Sequence, residues 1–264
     1  MQPPAPVEFA HKSHPIPNHK LKLVTADEGF NCDGCKEPGR HERYRCEPCD
    51  FDLHRPCALA PPDLPQHRLF RGRAFRLLHT PPPTEPGYLR VCDACGDKVS
   101  GFVYHCSDLD LDIHPCCANL PDHVALDGVE FVLCGAGAGA GDVPRQCAFC
   151  TEDHGKSCGV SRSRLDRRKV WTYRSCYDGE AMYLHVACVK EIMVQEIIAA
   201  GNGGGKNYVI ADSVLRGAMK KRSRTGKKAV KCFLKFVLSV IVSVLFGDPT
   251  GMAVALIGAV VSNV

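Results

Sequence analysis

The sequence predicts small α+β units in tandem, three of them, each held by side-chain ligands rather than by a large core, with a basic and hydrophobic helical tail behind them. Three observations predict it. The chain carries 17 cysteines and 12 histidines in 264 residues, and the two residue types cluster together. Aromatic content is only 7%, which argues against a large conventional core. A Cys-x2-Cys pair occurs three times, as Cys32/Cys35, Cys92/Cys95 and Cys147/Cys150, and each is followed by His-x2-Cys: His54/Cys57, His114/Cys117 and His185/Cys188.

The repeat extends beyond those pairs. Twelve residues separate His19 from Cys32, His79 from Cys92 and Cys134 from Cys147. Ten separate Cys35 from Cys46 and Cys95 from Cys106. The closing pairs sit in similar frames, FDLHRPC, LDIHPCC and MYLHVAC, whose apolar residue before the histidine reads as a core anchor on a short strand. RYRC, FVYHC and WTYRSC have strand character, and VACVKEIMVQEIIAA reads as a terminal helix packed on its own unit. Turn-rich PPDLP, PPPTEPG and GAGAGAG fall in the spacers or just after the closing ligands. The expected segments are 9–68, 69–125 and 129–200, then a Gly-rich and basic linker at 201–228 and a hydrophobic tail at 229–264.

The first twenty residues hold no apolar stretch of the secretory type, so the chain is expected inside the cell and not secreted. Paired Cys-x2-Cys motifs with nearby histidine then read as metal sites rather than disulfides. Zinc takes four tetrahedral ligands from thiolate and imidazole, and the turn within Cys-x2-Cys points both sulfurs at one ion. One such pair is weak evidence; three, each with its His-x2-Cys, are strong. The expected cofactor is Zn2+.

The pattern His19-x12-Cys32-x2-Cys35-x10-Cys46-x2-Cys49-x4-His54-x2-Cys57 resembles the divergent C-one domain of plants, a relative of the diacylglycerol-binding finger of protein kinase C. FAHKSHPIPNHKLKL, CDFDLHRPCALAPPDLPQH and WTYRSCYDGEAMYLHVACVKEI carry the same resemblance, which covers roughly residues 9 to 200. It implies two cross-braced zincs per finger. One site of the first finger would be Cys32, Cys35, His54 and Cys57. The other would be His19, Cys46, Cys49 and a closing ligand. Pro65 stands where the parent has its last cysteine, so His67 is the expected substitute, with His11 and His14 as alternatives. In the second finger Cys92, Cys95, His114 and Cys117 form a whole site. His79 and Cys106 remain of the other, Leu109 replaces a cysteine, and His123, Asp108 or Asp110 could complete it. In the third, Cys147, Cys150, His185 and Cys188 form a site. Cys134 and Cys176 remain of the other, Gly179 stands where a cysteine belongs, and no zinc is expected there.

The complete sets look closed, with no open position for a catalytic water and no His-Glu-x-x-His, so no enzyme is expected. A redox or RING-like ligase use of the Cys-x2-Cys motifs is the alternative. Between Cys35 and Cys46 the stretch KEPGRHERYR is short and charged, and burying Glu37 or Arg40 in a bilayer is costly, so diacylglycerol binding is not expected. Net charge is +4, yet nine Lys/Arg lie in 216–235, leaving 24 basic against 29 acidic residues elsewhere. The fingers therefore lack a nucleic-acid-binding face.

The tail joins a basic run to an apolar one. Lys220, Lys221, Arg222, Arg224, Lys227, Lys228, Lys231 and Lys235 precede or enter AVKCFLKFVLSVIVSVLFG, and no acid interrupts 213–247. Lys231, Lys235, Ser239 and Ser243 form a narrow polar stripe on an otherwise apolar helix. Peripheral association with an anionic membrane, from the cytoplasm, is the leading expectation. Packing or self-association is the second, and nuclear import through KKRSRTGKK the third. The C-one resemblance implies a zinc-binding adaptor in plant signalling or stress response, with a protein partner that the sequence does not name.

Overall fold

The structure, a computed structural model, describes residues 5–126, 129–135, 147–149, 171–177, 180–191, 194 and 227–247. Among these residues the chain forms three antiparallel sheets of four strands, each a simple meander. The first runs β1 (Glu8–Ala10), β2 (Lys20–Asn31), β3 (Pro38–Cys46) and β4 (Phe51–His54). The second runs β5 (Asp63–Leu64), β6 (Phe75–Leu78), β7 (Val103–Cys106) and β8 (Leu111–Ile113). The third runs β9 (His123–Leu126), β10 (Val129–Cys134), β11 (Thr172–Tyr177) and β12 (Glu180–His185). Short helices α1 (Arg55–Ala58), α2 (Pro115–Ala118) and α3 (186–191) follow β4, β8 and β12. A longer helix, α4 (Lys227–Leu245), lies near the C-terminus. No described helix is long and apolar enough to cross a membrane.

One core plan serves all three sheets. A tyrosine on the third strand faces an aliphatic residue on each neighbour: Leu23–Tyr44–Leu53, Leu77–Tyr104–Ile113 and Leu133–Tyr173–Leu184. All three tyrosines are buried. A buried phenol needs a partner for its hydroxyl. Here each donates to a proline carbonyl near the start of its own sheet: Tyr44 to Pro6 at 2.7 Å, Tyr104 to Pro61 at 2.9 Å and Tyr173 to Pro121 at 2.8 Å. The lead strands β5 and β9 thus belong with the later sheets. The structural boundaries fall before Pro61 and Pro121, earlier than 69 and 129.

The turns that aim the cysteines are also shared. After Cys35 and after Cys95 the chain takes a left-handed residue, Lys36 (φ 66°) and Gly96 (φ 78°). Each turn is closed by Lys36 N–H to Cys32 O at 2.9 Å and Gly96 N–H to Cys92 O at 2.7 Å. The hairpin before β4 and the one before β8 use Asp50 (φ 48°) and Asp110 (φ 49°), acidic residues that tolerate this region better than most. His54 and His114 precede α1 and α2 in extended conformation, with a proline in the first turn of each helix, where a missing N–H costs nothing.

Two compact units can be drawn. The described residues of Met1–Val91, Lys98–Asn119 and Val244–Thr250 form one, and those of Cys92–Asp97 and Leu120–Ser243 the other. Within the first, Phe102 N–H donates to Gly34 O at 2.8 Å. Gly101 packs so closely there that a Cβ would lie 2.0 Å from the same oxygen. Within the second, Trp171 N–H donates to Ala94 O at 3.1 Å, and Trp171 is buried. Gly34 and Ala94 hold the same place in their Cys-x2-Cys turns.

Candidate metal centres

The first centre gathers Cys32, Cys35, His54 and Cys57, all fully buried, with their donor atoms within 4.8 Å of one another. A tetrahedral ion with thiolate ligands has ligand–ligand separations of about 4 Å, so the spacing suits one. The turn after β2 supplies the two leading cysteines, and the β4–α1 junction supplies the other pair. His54 Nε2 lies 3.1 Å from Pro38 O, which fixes that nitrogen as the donor. Nδ1 is left facing Cys35 Sγ at 3.3 Å and Cys57 Sγ at 3.9 Å. Such an outer hydrogen bond orients an imidazole for metal binding. Burial resists ionisation of Cys35, but hydrogen bonds from Cys32 and Cys57 and the nearby His54 bring it down to about 5.

The second cluster joins His14, His19, Cys46 and Cys49. His19 Nδ1 lies 3.1 Å from Cys49 Sγ and 3.7 Å from Cys46 Sγ. His14 Nδ1 is engaged by Ile16, at 2.8 Å from its oxygen and 3.0 Å from its nitrogen. Its Nε2 is buried without a hydrogen-bond partner. A buried imidazole nitrogen of this kind next to two thiols fits a cation. The ligand pairs of the two clusters alternate along the chain, which makes the first sheet cross-braced.

The closing ligand of this second cluster differs from the sequence expectation. His67 does not reach it. It lies instead against Phe70 and Phe75, with ring centroids at 5.7 and 5.9 Å, and burial lowers its pKa to about 4. His14 closes the site because it precedes β2, whose pairing with β3 carries His19 to Cys46. His67 sits in the loop leading to β6 of the next sheet.

A third cluster is Cys92, Cys95, His114 and Cys117, all buried. A fourth holds Cys147, His185 and Cys188, with Cys188 Sγ 3.6 Å from His185 Nδ1. Its expected partner Cys150 lies outside the described residues.

The leftover ligands are not assembled among the described residues. His79 stacks on Phe102 at 4.6 Å and meets the Ser13 hydroxyl at 3.2 Å, away from Cys106. His123 pairs with Glu130 at 2.6 Å on the surface. Asp108 and Asp110 are ion-paired to Arg73 and Arg90 and exposed. Cys134 Sγ faces Val132 O at 3.6 Å, and burial raises its pKa. Cys176 is exposed. Of the basic residues in the tail, Lys227, Lys228, Lys231 and Lys235 fall on α4, while Lys220, Lys221, Arg222 and Arg224 lie outside the described residues.

Two further residues at these centres were not anticipated. Cys116, on α2, is buried close enough to act electrostatically on Cys35, Cys57 and His54. Lys190, on α3, sets its buried ammonium 3.7 Å from Cys95 Sγ and 2.8 Å from Asp97. The Cys116–Cys117 doublet and the VKEI helix are visible in the sequence, but neither signals which distant cluster it approaches.

Residues 12–58 match the family model described as the C1 domain. The chain is also similar to a protein named "Probable nucleoredoxin 1", from Arabidopsis thaliana: 43% identity over 54 residues. That alignment covers 20% of this chain and 9% of the relative, so the chain spans a small part of the curated protein it matches. No solved structure matches the chain. Residues 12–58 are thus similar to the C1 domain and carry two cysteine/histidine clusters able to hold a metal ion.

Proposed function

We propose that the chain is a zinc-binding interaction protein made of three C1-like fingers, whose ions hold short strands and loops rigid for a protein partner. The observation that carries this reading is the make-up of the donor sets, all thiol and imidazole, of which Cys32/Cys35/His54/Cys57 and Cys92/Cys95/His114/Cys117 have four members and are wholly buried. Sets rich in thiolate suit a borderline-soft tetrahedral ion, and zinc is the common one. A role as an adaptor in plant signalling or stress response follows from the family resemblance. The redox and ligase alternatives need an accessible thiol pair or a partner enzyme. The burial of Cys32, Cys35, Cys92 and Cys95 supports metal holding instead. Elemental analysis and thiol counting on the pure chain test the proposal. Four zincs and eleven protected cysteines are expected, counting Cys150 with the fourth cluster; fewer than three zincs would refute it.

Lipid recognition gains no support from the segment between Cys35 and Cys46. It forms β3, paired with β2 as far as Asn31↔Pro38, where the parent finger has a groove between loops. For the tail, the burial of Leu234, Val237, Ile241 and Phe246 supports packing over membrane insertion. Phe246 O also accepts Arg40 N–H at 3.4 Å, and Gly247 approaches His54 closely.

A further inference from the structure

The first sheet has an uneven edge. β4 pairs with β3 only from Arg43↔His54 to Cys46↔Phe51, so among the described strands the half of β3 from Pro38 to Glu42 pairs with β2 alone. A strand edge left this way presents backbone groups that another segment can meet. Here the chain's own C-terminal turn meets it. Phe246 O, just past the end of α4, accepts Arg40 N–H at 3.4 Å. Phe246 itself is buried. The described residues of Val244–Thr250 belong to the same compact unit as those of Met1–Val91, so the contact lies within one unit.

The same turn reaches a side chain of the first metal centre. His54 directs Nδ1 at the cluster sulfurs and Nε2 at Pro38 O. The ring edge away from the cluster is covered by Phe30, with ring centroids 5.1 Å apart, and by Gly247. A Cβ on Gly247 would lie 2.7 Å from His54 Cδ2 and 3.1 Å from Cγ. Gly247 also ends α4: it is left-handed (φ 70°), and its N–H donates to Val244 O at 3.2 Å. Ending a helix needs only that conformation, which asparagine also adopts. The close approach to His54 is a separate demand, and glycine meets both.

We propose that the Phe246–Gly247 turn is a latch on the first metal centre, slowing exchange of its ion while docked and speeding it when released. The inference rests on the metal reading given above. An imidazole leaves an ion by turning away from it, and Gly247 occupies part of the space His54 would turn into. Docking therefore blocks the outward swing, and undocking opens both that space and the Pro38–Glu42 edge. The hydrogen bond to Arg40 is longer than the usual range of about 2.7–3.2 Å, which suits a contact that opens without unfolding the sheet. The tail of the chain is thereby linked to the lability of a centre built nearly two hundred residues earlier.

The test uses the full chain loaded with zinc, as wild type, Gly247→Val and Gly247→Asn. Valine disfavours the left-handed conformation and also fills the gap; asparagine keeps the helix end and only fills the gap. Both variants should hold the wild-type number of ions. In both, the Arg40 amide should exchange hydrogen several-fold faster, and Cys32, Cys35 and Cys57 should be alkylated several-fold faster in the presence of a chelator. Cys92, Cys95 and Cys117 should keep their wild-type rates. If Gly247→Asn matches wild type in both readouts, whatever Gly247→Val does, the glycine only ends the helix and the latch is refuted. Equal acceleration at both sets of cysteines would refute it too, as general loosening. A wild-type chain holding fewer than three ions would refute the metal reading, while the Arg40 amide would still report whether the turn docks.

Discussion

The ammonium of Lys190 lies 3.7 Å from the sulfur of Cys95 and 2.8 Å from Asp97, with the lysine almost wholly buried. A centre of three thiolates and one imidazole around a divalent ion carries one net negative charge, and this ammonium is placed to offset it. Charge-assisted hydrogen bonds to a metal thiolate also lower its nucleophilicity. Lys190→Met should leave the fold intact but make Cys95 several-fold more reactive toward an alkylating agent, and should speed zinc transfer to a chelator. Mass-spectrometric mapping of alkylated thiols checks it; an unchanged Cys95 rate would show the contact to be without effect.

Gly101 has no room for a side chain. A Cβ there would meet Gly34 O at 2.0 Å, a backbone atom that cannot rotate aside. Gly101→Ala should therefore break the Phe102–Gly34 hydrogen bond and cost about 1–3 kcal/mol or more as an overpacking change. Hydrogen exchange should show the Phe102 amide losing protection. Thermal unfolding at saturating zinc gives the magnitude; a change within about 0.5 kcal/mol would contradict the close contact.

His67 gives a pH signature. Burial, with Arg68 beside it, holds its pKa near 4, below the usual 6.5. A histidine depressed in the folded chain is neutral in both states above pH 6.5 and protonates first in the unfolded state. Its contribution to stability therefore starts to be lost as pH falls through 6.5 and is fully lost once pH drops below about 4. Measured over this window with zinc in excess, His67→Phe should fall less steeply than wild type. An NMR titration of His67 with a midpoint near 6.5 would contradict the burial argument.

The tail prediction separates packing from membrane binding. With Leu234, Val237, Ile241 and Phe246 covered, the full chain should co-sediment with phosphatidylserine vesicles no more than a chain ending at Gly205. A salt-sensitive excess of binding by the full chain would instead favour the basic run acting at an anionic surface.

The ligand ladder was legible because metal geometry forces short, fixed spacings. Cys-x2-Cys and His-x2-Cys can be read without knowing the fold, while the grouping of Cys32, Cys35, His54 and Cys57, which lie together, is what the C-one resemblance implied. The closing ligand was legible only as an alternative. Counting from Cys57 favours His67, whereas the β2–β3 pairing brings in His14 from the other end of the segment. The tyrosine pins were present as RYRC, VYHC and TYRSC, but their proline acceptors lie 38, 43 and 52 residues away. Nothing local couples such distant positions. Lys190 was missed for the same reason: it approaches Cys95, which belongs to another stretch of chain.

The turn that carries a Cys-x2-Cys pair also offers its carbonyl to a residue farther along the chain: Gly34 to Phe102 and Ala94 to Trp171. The relation has a direction. In the first segment the position matching Phe102 is Glu42, already committed to Thr25 in the β2–β3 ladder, so nothing upstream is addressed by it. Order along the chain is thus encoded as donor after acceptor, like a sentence whose clauses cannot be transposed. A permuted gene that moved residues 5–58 behind the rest would keep every ligand set yet reverse the sense of the Gly34–Phe102 link. Its segments would each be able to hold metal while losing the syntax that joins them.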